Sequence, residues 1–159
     1  MLRPTQVRLV LIDDADVFLD TNVLVYAACG AVDEPEKWQR ARAIVAEEEY
    51  CTSAQVLAEF YVSVTRSLGQ SKAPKRSVQM DANTALRWIS ALRKKPCQPV
   101  DARIVESGIT NARKYQISYW DGAIIAAAQR LGVATLYSED LDHGQAYDGV
   151  TVINPFREP

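Results

Sequence analysis

Histidine occurs once in this chain of 159 residues, as His143, and that scarcity removes several chemistries. His-rich zinc sites and paired-histidine metalloprotease motifs cannot be assembled from one imidazole. Cys29, Cys51 and Cys97 are scattered, odd in number and without a CxxC pair, which predicts buried thiols in a reducing cytoplasm. No run approaches the ~18 consecutive apolar residues of a membrane span. The opening MLRPTQVRLVLIDDAD holds only the short apolar stretch Leu9 to Ile12 before its acids, so no secretory leader is expected. A basic excess is missing too. The net charge of −2 supplies no global field for gripping nucleic acid, so such a substrate would need a local patch and metal ions. Any catalysis must lean on carboxylates or on a bound metal.

Repeats, low-complexity tracts and Gly/Ser linkers are also absent, and the length suits one compact domain. What is present alternates short apolar runs with helical periodicity, the signature of an α/β fold around a parallel sheet. Strands are expected at Val17 to Leu19, Tyr50 to Thr52, Gln98 to Asp101, Val133 to Tyr137 and Val150 to Ile153. A further strand at Val7 to Ile12 has no assigned place. Helices are expected at Val23–Ala28, Pro35–Glu49, Ala54–Leu68, Lys75–Lys95, Ala102–Tyr115 and Tyr119–Leu131, the last capped by Gly132. The third carries an apolar stripe of Val56, Leu57, Phe60, Tyr61, Val64 and Leu68. The fourth carries one of Val78, Ala82, Ala85, Leu86, Ile89 and Leu92.

Ligands of open parallel sheets bind beyond the carboxyl ends of the strands. Asp20 directly follows one strand there, and Asp140 lies shortly after another. Glu59 and Asp121 are on helices, so their direction matters. At ~100° per residue, Glu59 lies roughly 60° from Val56, on the border of its stripe. Asp121 falls in angle between Ile124 and Ile125, and a carboxylate on an apolar helix face needs a reason. Taken singly, each Asp reads first as a helix cap or turn residue, and Glu59 as a solvated side chain. Together, four converging carboxylates repel unless a cation sits among them. All-oxygen ligation suits Mg²⁺ or Mn²⁺, which can acidify water and stabilise charge on a phosphodiester.

At this point the residues resemble a known family. Val17-Phe18-Leu19-Asp20-Thr21-Asn22-Val23-Leu24-Val25-Tyr26-Ala27 is similar to the opening of PIN domains. Ser53-Ala54-Gln55-Val56-Leu57-Ala58-Glu59-Phe60-Tyr61 resembles their glutamate-bearing motif. Ser118-Tyr119-Trp120-Asp121-Gly122-Ala123-Ile124-Ile125-Ala126-Ala127-Ala128 resembles their third, and Leu136-Tyr137-Ser138-Glu139-Asp140-Leu141 with Gly144-Gln145 their fourth. Four motifs in order span nearly the whole chain. The resemblance implies a three-layer α/β/α fold with a central, mainly parallel sheet of about five strands, occupying 16–157 behind a 1–15 extension. It further implies a VapC-type toxin: a Mg²⁺- or Mn²⁺-dependent endoribonuclease, a cognate antitoxin partner and a homodimer. Carried over by position, Asp20, Glu59, Asp121 and Asp140 become the metal-binding catalytic acids, with Thr21, Asn22 and Ser138 as polar support. Two departures stand out: the extension itself, and Gly122 where alanine is more usual.

Other features admit other readings. The acid-free stretch from Glu59 to Asp81 carries Arg66, Lys72, Lys75 and Arg76, either a solvated face or an arm for phosphate or antitoxin. Trp38, Trp88 and Trp120 could stack on bases, although tryptophan in amphipathic helices usually joins the core. His143 reads as surface. Asp13-Asp14 resembles the acidic pair of phospho-accepting receiver domains, and Asp14-Ala15-Asp16 that of haloacid-dehalogenase-type phosphatases. The strand Val133–Tyr137 is followed by Ser and acids rather than the receiver lysine, and Val17-Phe18 follows the phosphatase-like pair where threonine is needed. A catalytically idle PIN scaffold, acting by binding, is a third alternative. DNA remains open as a substrate, since its cleavage is the same phosphodiester chemistry.

Overall fold

The computed structural model describes residues 15–65 and 79–157. Its strands are β1 (Val17–Leu19), β2 (Tyr50–Ser53), β3 (Cys97–Gln98), β4 (Thr135–Tyr137), β5 (Ala146–Tyr147) and β6 (Val150–Ile153). They form one sheet in the order β3-β2-β1-β4-β6-β5. Every pairing is parallel except the antiparallel β5–β6. The helices are α1 (Thr21–Cys29), α2 (Pro35–Glu47), α3 (Ala54–Thr65), α4 (Ala82–Leu92), α5 (Ala102–Tyr115) and α6 (Tyr119–Leu131). The architecture is a three-layer α/β/α sandwich.

Parallel strands covered on both faces read as continuous apolar runs rather than alternating ones. β1 fits: Val17, Phe18 and Leu19 are all buried, with Phe18 set beside Cys51 of β2 and Leu136 of β4. Phe60, Val56, Ile125 and Val152 close the core around them. The central place of β1 matters most for the site, because it delivers Asp20 to the middle of the sheet's carboxyl edge. The ladder continues one step beyond the strand, where the Asp20 amide donates to Tyr137 O at 3.0 Å.

The helix α6 is buried over Gly122 to Ala128, and its small residues let α5 approach closely. A Cβ on Gly122 would stand 2.4 Å from the carbonyl oxygen of Gly108 and 2.9 Å from the amide nitrogen of Ala112. Contact between backbones therefore explains why glycine occupies this position. The Ser118 hydroxyl caps the start of α6, and Gly132 closes it at φ 72°, as its place in the sequence suggests.

Several expectations are corrected. The sheet has six strands rather than about five. The strand missed is β5, joined to β6 through Asp148 (φ 45°) and Gly149 (φ 91°). An Asp-Gly pair is the hairpin signal that would have found it. β3 stops at Gln98, before Pro99, which has no amide hydrogen to extend a ladder, and Asp101 instead caps α5 through the Ile104 amide. α4 starts at Ala82 rather than Lys75, with Asp81 as its cap. On that helix Ala85 and Leu92 are buried, but Leu86 is 54% exposed; Tyr61 on α3 is exposed as well. Both lie on the margin of a stripe that covers too little of the helix to hide them. Cys29 and Cys51 are buried, but Cys97 on the edge strand only partly. Burial pushes the Cys51 thiol up to about 12. The Val7–Ile12 strand and the Arg66, Lys72, Lys75 and Arg76 run fall outside the described residues. No helix among the described residues is long and apolar enough to cross a membrane.

Candidate active site: an acidic cleft at the carboxyl edge of the sheet

Asp20 ends β1 and caps α1, its Oδ1 accepting from the Thr21 amide at 2.6 Å. The capping role is real, but it occupies only one oxygen. Oδ2 accepts from the Ser138 hydroxyl at 2.7 Å and from Asn22 Nδ2 at 3.1 Å. The same Asn22 nitrogen reaches Asp140 Oδ2 at 3.1 Å, and Ser138 Oγ accepts from the Asp140 amide at 3.1 Å. Asn22 and Ser138 thus hold the two sheet-edge acids side by side.

The other two acids come from helices. Glu59 Oε1 accepts from Gln55 Nε2 at 2.8 Å, and its Oε2 takes a long 3.5 Å bond from the Thr21 hydroxyl. Asp121 sits in the first turn of α6, but the cap there is Ser118, whose hydroxyl both accepts from the Asp121 amide at 3.1 Å and donates to Asp121 Oδ2 at 2.7 Å. Asp20, Glu59, Asp121 and Asp140 line one cleft of about 270 Å³. The fold brings together the four acids of the motifs, and Thr21, Asn22 and Ser138 stand among them.

Asp20 feels this setting most. Its carboxyl is pushed up to about 7, chiefly by burial, with Asp140 and Glu59 adding repulsion and the Ser138 and Thr21 bonds opposing it. The surroundings therefore favour a positive charge beside Asp20, whether a proton or a cation. Asn22 Oδ1 is buried without a hydrogen-bond donor among the described residues. An oxygen-only donor set of carboxylates and an amide matches hard divalent cations. Among the described residues no three of His, Cys, Asp or Glu are already drawn to one point as metal ligands. Asp20, Glu59, Asp121 and Asp140 ring the cleft instead, each held by a neutral donor, which is the spread that like charges favour. The oxygen donors around the cleft have the chemistry of a hard divalent-ion site, and Asp20, Glu59, Asp121 and Asp140 are the residues that would hold such an ion.

Some lining residues escape a sequence reading. Glu139 is a further acid on the cleft wall, bonded to the Tyr26 hydroxyl and, at 2.8 Å, to Lys37 Nζ. Burial works against the charge on Lys37, but its bonds to Glu139 and Tyr26 prevail and hold it above the usual lysine range. Only the fold reveals this pairing. Trp120, expected in the core, is 60% exposed and lines the cleft; Trp88 packs against Phe60, as expected of a core residue. Gln55 could have been noticed, since it stands four residues before Glu59 on one helix face. His143 is exposed, and its Nδ1 accepts from the Asn154 amide at 3.0 Å.

The sequence matches the PIN domain family over residues 17–149. The chain belongs to the PIN-domain family. No curated protein sequence matches it significantly. Solved structures share the PIN fold at low identity. The Mycobacterium tuberculosis VapC20, a sarcin-ricin loop cleaving toxin, is 20% identical, with 79% of this chain and 91% of that one covered and a TM-score of 0.57. FitAB bound to an IR36 DNA fragment gives 20% identity, 90% and 97% coverage and a TM-score of 0.56. A toxin–antitoxin complex from Klebsiella pneumoniae gives 18% identity, 89% and 99% coverage and a TM-score of 0.60. In this PIN domain the family match covers every acid of the cleft.

Proposed function

We propose that this PIN domain is a Mg²⁺- or Mn²⁺-dependent endoribonuclease of the VapC type, the toxin of a toxin–antitoxin pair. The observation that carries the reading is the cleft itself, where Asp20, Glu59, Asp121 and Asp140 converge from four separate parts of the chain. Asp20, Asp121 and Asp140 hold the ion, and Glu59 holds it directly or through water. When bound, the ion neutralises the carboxylates, acidifies water and stabilises charge on the phosphodiester. Asn22 and Ser138 orient Asp20, and Ser118 orients Asp121. A site without histidine or a covalent nucleophile is suited to hydrolysis of this kind.

The toxin assignment draws on the neighbours, which include a sarcin-ricin loop cleaving toxin and a toxin–antitoxin complex; a cognate antitoxin is the corresponding partner here. Residues 16–157 form the PIN domain, and 1–15 are an extension. Association as a homodimer belongs to the same reading.

The test is RNA cleavage by purified protein with Mg²⁺ or Mn²⁺, alongside EDTA and the variants Asp20→Asn and Asp121→Asn. The reading expects cleavage only in the metal-loaded wild type, with both variants folded. Undiminished cleavage in EDTA, or full activity in either variant, would overturn it. Cleavage of DNA but not RNA would overturn the substrate.

A further inference from the structure

The two sides of the cleft are braced differently. On the sheet side, Asn22 and Ser138 join Asp20 to Asp140. On the helix side, Glu59 and Asp121 are carried by different helices, α3 and α6. One buried side chain spans them. Gln55 Nε2 donates to Glu59 Oε1 at 2.8 Å and to the backbone carbonyl of Trp120, the neighbour of Asp121, at 3.1 Å. An amide nitrogen carries two hydrogens, and both are used here.

We infer that Gln55 is a positioning residue: it sets the Glu59 carboxylate against the first turn of α6, and so fixes the spacing of the helix-side acids. The geometry leaves few substitutes. Glu59 Oε1 has its only short bond among the described residues from Gln55, since the contact of Oε2 with Thr21 is long at 3.5 Å. The spacing of four residues puts Gln55 and Glu59 on one face of α3. Burial makes the arrangement stiff, because a partly hidden amide or carbonyl left without its partner is costly. Packing alone does not account for the choice of residue, since methionine would fill similar space without donating a hydrogen bond.

This inference rests on the reading of Glu59 as a metal-site carboxylate, and the experiment separates the two. Mn²⁺ alone is titrated calorimetrically into wild type, Gln55→Met and Gln55→Asn, with circular dichroism confirming the fold. Outer-shell partners of metal ligands are worth roughly 10- to 100-fold in affinity. Loss of that order is expected in Gln55→Met, which lacks the donors, and in Gln55→Asn, which is too short to make both bonds. The Glu59→Asp background retains a carboxylate but withdraws it from Gln55, and there Gln55→Met is expected to change affinity less than about twofold. A merely structural glutamine would lower the melting temperature and leave Mn²⁺ affinity alone, or weaken it by the same factor in both backgrounds. Either result overturns the inference. Wild type that fails to bind Mn²⁺ at all overturns the nuclease reading instead, and the inference with it.

Discussion

The Ser138 hydroxyl donates to Asp20 Oδ2 at 2.7 Å, joining the end of β1 to the loop after β4 across a sequence separation of 118. Both groups are buried, with Ser138 at 0% and Asp20 at 4% exposure. A charged acceptor in such a place depends strongly on its donors.

Ser138→Ala removes this donor, and also the acceptor of the Asp140 amide. A destabilisation of about 1–3 kcal/mol is expected near neutral pH. Because the bond favours ionised Asp20, its loss raises that carboxyl further. Urea unfolding and carboxyl NMR titration measure both effects; an unchanged Asp20 titration would show that the bond contributes nothing.

The Asp20 carboxyl, raised from 3.8 to about 7, gives metal-free stability a definite pH dependence. The native state binds this proton more tightly than the unfolded chain. The associated stability is therefore complete below about pH 4 and lost as pH rises through about 7. Asn caps a helix as well as Asp does and carries no charge. In EDTA, Asp20→Asn should therefore be the more stable protein at pH 8, by no more than about 4 kcal/mol, with the gap closing towards pH 4. Melting curves across pH test this, and a wild type more stable at pH 8 would contradict it.

Metal should reverse that order. Mn²⁺ is expected to raise the melting temperature of the wild type at pH 8 but not of Asp20→Asn. The rise should shrink at pH 6, where a proton competes for the same oxygens. Thermal shift with and without the ion reads the effect. An equal rise in both proteins would place the ion elsewhere.

Gly122→Ala sets two effects against each other. Helix propensity favours alanine by about 1 kcal/mol, but the new Cβ would stand 2.4 Å from Gly108 O, a backbone atom that cannot swing aside. Overpacking of this kind typically costs about 1–3 kcal/mol. Net destabilisation is expected in denaturant unfolding, and a stabilised variant would show that α5 and α6 separate easily.

Much of this was legible in the chain. Val17 to Leu19 declared a buried strand by being apolar throughout, and the end of α6 was marked by Gly132, a residue whose preference acts locally. Asp121 betrayed itself by sitting on the wrong side of an apolar helix. Less legible were β5, a strand of two residues whose Asp148-Gly149 turn carries the signal, and Leu86 and Trp120, which periodicity treated as interior.

By itself, the sequence determined the α/β class and most of its helices and strands, and its motifs singled out four acids, because periodicity, caps and residue chemistry are local or nearly so. Only the tertiary structure decided that Asp20 is buried while Trp120 is exposed, that Lys37 holds Glu139, and that Gln55 spans two helices. Those facts depend on which surfaces meet after β1 takes the centre of the sheet, and no short window of residues contains that information.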